Sequence, residues 1–313
     1  MTYAQQVRIY EVGPRDGLQN EATPISTAHK LAYIGLLRAA GLREIEATSF
    51  VSPKAIPQLA DADELMRSLA ASRDEAVRYP VLVPNERGLD RAITAGATAL
   101  AVFTAASEVF TKRNIGMTID ESLAAFAPVL RRATEMGWWR RAYVSTAFGC
   151  PFTGRVDVAK VVDVALRLDD LGVDEICIGD TIGVGVPSQV HDITAQLVGA
   201  GLPLSNLAYH FHDTRGTALA NVFAGLEDGI TCFDASTGGT GGCPYAPGAA
   251  GNLATEDLVY LLDGLGIAHG VDLAKVIVAA RFAAAALNKP LASKVGQAGG
   301  WDATTGARVL PEA

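Results

Sequence analysis

The 313-residue sequence lacks most of what marks a secreted, membrane-bound or nucleic-acid-binding chain. It has four cysteines, Cys150, Cys177, Cys232 and Cys243, and no C-x-x-C pair, so neither a disulfide framework nor a thiolate zinc cluster is written into it. No apolar run reaches the roughly 18–20 residues needed to cross a bilayer. There is no block of like charge: 26 Lys and Arg stand against 34 Asp and Glu, a formal charge of −8, which argues against nucleic acid and anionic lipid as partners. The opening M-T-Y-A-Q-Q-V-R-I-Y holds no apolar signal core and no Arg/Ser-rich leader. The expectation is a soluble protein of a reducing, cytoplasmic compartment with neither membrane nor nucleic acid as partner. An anionic small substrate remains open, because a few local cations decide that.

What is present is alternation. With 49% hydrophobic and 19% charged residues the chain can bury a large core. Short apolar runs at 7–12, 44–50, 79–83, 99–104, 141–147, 175–179, 207–212 and 232–235 are separated by longer helical patterns such as 26–40, 120–136 and 156–171. The helical patterns run into Gly41, Gly96, Gly137, Gly172, Gly201 and Gly229, residues suited to the left-handed turn that closes a helix. Eight strand–helix units predict a parallel sheet closed into an α/β barrel, a TIM (β/α)8 fold. A doubly wound open sheet is the competing layout, and no G-x-G-x-x-G follows the first strand to support it. The barrel is expected over about residues 5–250, with further helices over about 255–313, in one catalytic domain of residues 1–313.

A barrel of this kind carries its active site at the carboxyl ends of the strands, and polar residues gather there. The first strand ends in G-P-R-D-G-L-Q-N-E with Arg15 and Asp16. The second carries Glu46, the fifth Tyr143, and the sixth ends at Asp180 and Thr181. The seventh is L-A-Y-H-F-H-D-T, in which His210 and His212, two apart, point to one face. With Asp16 and the amide oxygen of Asn252 they form a mixed N/O set that suits octahedral Mg²⁺ or Mn²⁺; catalytic zinc on histidines, or two histidines simply satisfied by hydrogen bonds, are the alternatives. Arg15 beside a metal could stabilise an enolate oxygen, or could be a surface ion pair. Glu46 is either the buried partner of Arg15 or a participant in the chemistry. Cys177 and Cys232 lie in apolar strands and read as small core residues. Cys243 follows Gly238-Gly239-Thr240-Gly241-Gly242 and could act as a proton-transferring thiol on a mobile lid, or be incidental to a phosphate-cradling loop.

Taken together, these residues resemble the DRE-type metal-dependent TIM-barrel family, and within it the 3-hydroxy-3-methylglutaryl-CoA lyases. The likeness runs in order through V-G-P-R-D-G-L-Q-N-E, E-A-T-S-F-V-S-P-K, Y-P-V-L-V-P-N, A-S-E-V-F-T-K-R-N-I, G-D-T-I-G-V-G, H-F-H-D-T, G-G-C-P-Y-A-P-G-A-A-G-N-L-A-T-E-D-L-V-Y and G-L-G-I, nearly the whole chain. The resemblance implies metal ligands at Asp16, His210, His212 and Asn252, a substrate-contacting arginine at Arg15, the family's motif glutamate at Glu46 and a catalytic cysteine at Cys243. It implies an acyl-CoA thioester substrate, cleavage of 3-hydroxy-3-methylglutaryl-CoA to acetoacetate and acetyl-CoA, a homodimer, and a place in leucine degradation or ketone-body formation. The same machinery would serve a lyase for a related 3-hydroxyacyl-CoA. Claisen-type synthases such as isopropylmalate synthase share the R-D and H-x-H elements but usually carry an extra region after the barrel, and a non-catalytic barrel would not retain the whole residue set. The sequence departs from the family where S-V-A-G-L-G-G-C-P is replaced by S-T-G-G-T-G-G-C-P, which puts Thr237, Gly238 and Thr240 in place of Val, Ala and Leu, and where Phe211 stands between the histidines instead of the frequent Cys.

Overall fold

The computed structural model describes residues 3–72, 74–242, 251–290, 292–302 and 307–309. The apolar runs become parallel strands: β1 (Arg8–Glu11), β2 (Glu44–Ile45), β3 (Thr48–Ser49), β4 (Val81–Leu82), β5 (Ala99–Ala105), β6 (Trp139–Ser145), β7 (Glu175–Asp180), β8 (Leu207–Phe211) and β9 (Cys232–Ala235). Their order is β2-β1-β9-β8-β7-β6-β5-β4-β3. The two ends of that order are halves of one extended segment, broken at Glu46 and Ala47. The Glu46 amide donates to the Glu11 carbonyl at 2.8 Å and the Ala47 amide to the Pro80 carbonyl at 3.0 Å, so the break is bridged on both sides. The sheet therefore closes as eight strands, the expected TIM barrel, and the break turns Glu46 inward.

Helix boundaries follow local chemistry. Ser26 caps Thr27–Ala39 by accepting from the His29 amide, Thr118 and Glu121 form a reciprocal capping box on Ile119–Glu135, and Asp157 caps Val158–Asp170. The six glycines expected to close helices all have positive φ, from 69° at Gly137 to 103° at Gly201. Helices Thr255–Leu265 and Leu273–Leu287 lie where the periodicity puts them. Two elements go beyond the sequence reading. A helix, Glu108–Ile115, follows β5 directly, capped by Ser107. The weakly patterned tail forms a short helix, Lys294–Ala298, and an antiparallel pair, Gly300–Asp302 with Ala307–Val309. Asp257 fastens this tail, accepting from the Ser293 hydroxyl at 2.9 Å and from the Lys294 and Val295 amides at 3.1 and 2.7 Å.

The fold has two interiors. One is the broad apolar layer between sheet and helices, to which Tyr209 and Phe211 contribute. The other is the barrel lumen, holding Tyr10, Val12, Leu82, Ala101, Tyr143, Cys177, Ala208 and Cys232. The lumen also holds charge. Arg141 is fully buried, with Nη2 2.6 Å from Asp234 Oδ1 and its guanidinium 3.8 Å from the centre of the Tyr10 ring. Its Nε lies 2.8 Å from Glu175 Oε1, close enough for an ion pair but not aligned as a hydrogen bond. Below it Arg8 pairs with Glu175 and, at 2.7 Å, with Glu44, which pairs with Arg78 at 2.6 Å. Arg141 is the buried cation, and the more exposed Arg8 and Arg78 help match the charge of Glu175 and Glu44, the matching that makes buried charge tolerable. Burial drives the Cys177 and Cys232 thiols well above their usual pKa, consistent with inert packing residues.

Removing one member strands the others. Arg141→Met is expected to lower the unfolding free energy by about 3–5 kcal/mol, because Asp234 loses its strongest counter-charge. Urea unfolding measures this directly; stability within ~1 kcal/mol of the parent would show that the lumen does not need this cation.

Candidate active site at the barrel mouth

The carboxyl end of β1 runs into a single π-turn, Gly13–Gly17, in which the amides of Arg15, Asp16 and Gly17 all donate to the Val12 carbonyl at 3.1, 2.8 and 3.1 Å. This tight winding delivers Arg15 and Asp16 to the mouth of the barrel. Arg15 is almost wholly buried. Its Nη1 donates to Asp16 Oδ1 at 2.6 Å and its Nη2 to Glu46 Oε2 at 2.9 Å. Glu46, fully buried, also accepts from the Tyr143 hydroxyl at 2.7 Å, and that hydroxyl accepts from Arg141 Nη1 at 3.0 Å. Burial first, and then the Glu46 charge, raise the Tyr143 phenol well above its usual pKa, so it is a neutral donor. Glu46 therefore acts as the fixed partner of Arg15, the first of the two roles open to it from sequence.

His210 on β8 and His212 just after it share the inner face, while Tyr209 and Phe211 pack outward, stacked with ring centres 5.2 Å apart. His210 stands in register with Asp234 on β9, and its Nδ1 lies 3.0 Å from Asp234 Oδ2. Burial lowers the His210 pKa, but the hydrogen bond and charge of Asp234 outweigh it and the net shift is upward. An Nδ1–H donated to Asp234 leaves the Nε2 lone pair facing the site, a tautomer assigned from the hydrogen-bond network. His212 Nε2 lies 3.1 Å from His210 Nε2, and burial together with His210 pushes its pKa down to about 3, so it is neutral. Asp16 is also held charged: burial works against its carboxylate, but Arg15, His210, His212 and the Asn252 amide overcome this and bring its pKa to about 2.

Asn252 arrives from far along the chain by backbone zippering. It forms an isolated antiparallel bridge with His212, flanked by Leu253 N–H to Phe211 O at 2.9 Å and Asp213 N–H to Gly251 O at 3.1 Å. Its Nδ2 donates to Asp16 Oδ2 at 2.9 Å and to the Thr240 carbonyl at 3.0 Å. Its buried Oδ1 has no partner among the described residues.

These residues fit a divalent cation. One ligand atom each from Asp16, His210 and His212 lies within 4.8 Å of the others. Two ligands at right angles on bonds of about 2.1 Å stand about 3.0 Å apart, close to the spacing of the two Nε2 atoms. The orphaned Asn252 oxygen is the kind of buried acceptor that calls for a partner. A carboxylate, an amide oxygen and two imidazoles make a mixed O/N donor set of the kind that holds divalent cations.

The site opens into a cleft of about 560 Å³. Arg15, Asp16, Tyr143, Thr181, His210 and His212 line its inner end; Phe110, Ile115 and Met117, on or just after the helix that the sequence reading missed, line the outer part. Asp180, expected to bind substrate, is outside this lining: its carboxylate accepts from the Val184 and Gly185 amides, both at 2.9 Å, and holds the loop after β7. The Thr181 hydroxyl accepts from the Thr146 amide at 2.7 Å. Cys243 lies outside the described residues, which end on that side at Gly242, itself part of the cleft wall. The sequence reading missed Arg141, Asp234 and Glu11. The signal was there as a charge inside each otherwise apolar strand, in R-R-A-Y, C-F-D-A and R-I-Y-E. Glu11 accepts from the Gly13 and Thr237 amides, both at 2.9 Å, and from the Thr237 and Thr255 hydroxyls, both at 2.7 Å, tying β1 to the residues after β9.

Known proteins share this arrangement. The HMGL-like family model matches residues 6–283. The mitochondrial hydroxymethylglutaryl-CoA lyase of Bos taurus is 50% identical over 297 residues, 95% of this chain and 90% of the bovine one. The crystal structure of the Bacillus subtilis HMG-CoA lyase superposes with a TM-score of 0.92 at 45% identity, covering 95% of this chain and 99% of that one. An HMG-CoA lyase from Acinetobacter baumannii, solved in complex with coenzyme A and 3-methylmalate, gives a TM-score of 0.91 at 37% identity over 99% of this chain and 100% of the other. A family model spanning most of the sequence, relatives near half identity along it and solved structures of the same fold agree: the chain belongs to the HMGL-like family.

Proposed function

We propose that this protein is a divalent-metal-dependent carbon–carbon lyase that cleaves 3-hydroxy-3-methylglutaryl-CoA into acetoacetate and acetyl-CoA. The observation that carries the reading is the Asp16–His210–His212 cluster, set beside the clamped cation of Arg15 in a chain half identical to hydroxymethylglutaryl-CoA lyases. Asp16, His210, His212 and the Asn252 oxygen would hold the metal, Mg²⁺ or Mn²⁺. Bound there, the cation supplies Lewis-acid polarisation of the substrate's hydroxyl and carboxylate oxygens.

The remaining chemistry falls to side chains. Asp16, whose carboxylate keeps lone pairs beyond the one a metal would use, accepts the proton of the C3 hydroxyl; His210, the other candidate, donates Nδ1–H to Asp234 and would have its one lone pair on the metal. The oxygen's electron pair then forms the ketone of acetoacetate while the C2–C3 bond breaks, and those electrons pass to the thioester as an enolate. Arg15, held by Glu46, is the cation that would stabilise the enolate oxygen. Cys243, directly after the cleft-lining Gly242, donates the proton that turns C2 into the methyl of acetyl-CoA. Asp234 supports His210 from behind. The departures at Thr237 and Thr240 leave this pocket alone: both side chains are buried and neither lines the cleft, which favours the parent acyl group over a related 3-hydroxyacyl-CoA.

Three variants test the assignment. Cys243→Ser is expected to lose about 100-fold or more in kcat for 3-hydroxy-3-methylglutaryl-CoA cleavage while binding Mn²⁺ like the parent; near-parent turnover would remove the cysteine from the mechanism. His210→Ala should weaken both turnover and metal affinity, and an unchanged metal titration would sink the ligand set. Asp234→Asn keeps every ligand but loses the carboxylate behind His210, and is expected to bind Mn²⁺ about 10- to 100-fold more weakly. Isothermal titration with Mn²⁺ reads that loss, and an unaltered affinity would show that Asp234 does not support the ligand.

A further inference from the structure

We infer that Thr240 is a positioning residue that fixes which end of the Asn252 amide faces the metal. The inference rests on the metal reading above and concerns a residue outside both the ligand set and the cleft wall. An amide side chain has nearly the same shape either way round, so its orientation is decided by partners. Two acceptors, Asp16 Oδ2 at 2.9 Å and the Thr240 carbonyl at 3.0 Å, claim the Nδ2 of Asn252. With the amide reversed, Oδ1 would face both oxygens. Asp16 is itself a proposed ligand, so the Thr240 carbonyl is the acceptor free to act as the fixed reference.

That carbonyl is held in place by a hydroxyl pair. Ser236 Oγ and Thr240 Oγ1 lie 2.7 Å apart, buried, and Thr240 Oγ1 is 3.3 Å from the Thr237 carbonyl. One order satisfies all three groups: Ser236 donates to Thr240, which donates to Thr237. Ser236 is anchored in turn, its amide donating to the Leu253 carbonyl at 2.9 Å, one residue after Asn252. Close packing adds rigidity. A Cβ at Gly17 would collide with the Thr240 hydroxyl, and one at Gly251 with the Gly239 carbonyl, so these glycines let the turn after β1, the residues after β9 and the Asn252 segment press together. The hydroxyl at position 240 is one of the three departures in this loop from the resembling family, in which Leu at this position cannot make the bond. This chain holds its amide with a polar lock of its own.

The test uses full-length protein stripped of metal with EDTA, with free Mn²⁺ counted by EPR during titration and the unfolding temperature of the stripped protein measured in parallel. Thr240→Val keeps the shape and deletes the hydroxyl; it is expected to bind Mn²⁺ about 10-fold more weakly, with little change in unfolding temperature. Thr240→Ser restores the hydroxyl and should stay within about 2-fold of the parent, while Ser236→Ala, which removes the other end of the pair, should lose affinity as Thr240→Val does. Parent-like Mn²⁺ affinity in Thr240→Val, or a Thr240→Ser variant as weak as Thr240→Val, overturns the role of the hydroxyl. If the parent itself bound no Mn²⁺, or bound it no better than His210→Ala, the metal reading would fall instead, a different outcome from a parent that binds and a Thr240→Val that matches it.

Discussion

Arg141 carries a positive charge in the middle of the barrel, out of reach of water, and that charge has to be matched by its neighbours. Its neighbours lead outward to the mouth along two routes. One runs through Asp234 to His210, and so to the metal cluster. The other runs through Tyr143 and Glu46 to Arg15, the cation proposed to stabilise the enolate. A single buried guanidinium thus reaches both His210 and Arg15, each through an intervening hydrogen-bond chain. The low dielectric of the lumen makes each of these hydrogen bonds stronger and each unmatched group more costly.

That architecture explains which parts of the molecule were legible in the sequence. The strands, the main helices and their glycine stops are local properties, and they fall where periodicity and capping chemistry put them. His210 and His212 were legible because spacing of two on a strand fixes a shared face whatever surrounds it. Asp16 could be placed because a strand end in a barrel is a mouth. Arg141, Glu175 and Asp234 are different: they sit on three strands far apart in sequence, and only closure of the barrel shows that they pair. Asp180 differs again: its carboxylate is taken by the amides of Val184 and Gly185, four and five residues on, a local turn that strand position alone does not reveal. The helix Glu108–Ile115 is too short for its periodicity to stand out, yet with the residues just after it, it forms part of the cleft wall.

The departures from the family pattern change meaning once the fold is in view. Read along the chain, Thr237 and Thr240 belong to a glycine-rich loop just before Cys243. In the structure both hydroxyls turn away from the cleft. Thr237 helps satisfy the buried carboxylate of Glu11, and Thr240 joins Ser236 behind Asn252. The proposed effect of Thr240 is on the Asn252 amide and not on the cleft wall, where neither threonine is found.

Metal-assisted cleavage of one carbon–carbon bond is the reaction proposed for this barrel mouth. The most direct measurement is product stoichiometry from 3-hydroxy-3-methylglutaryl-CoA with EDTA-stripped protein, before and after addition of Mg²⁺ or Mn²⁺. Acetoacetate and acetyl-CoA should form in equal amounts on metal addition and not before it. Equal product formation by the stripped protein, or no cleavage with either metal, would contradict it.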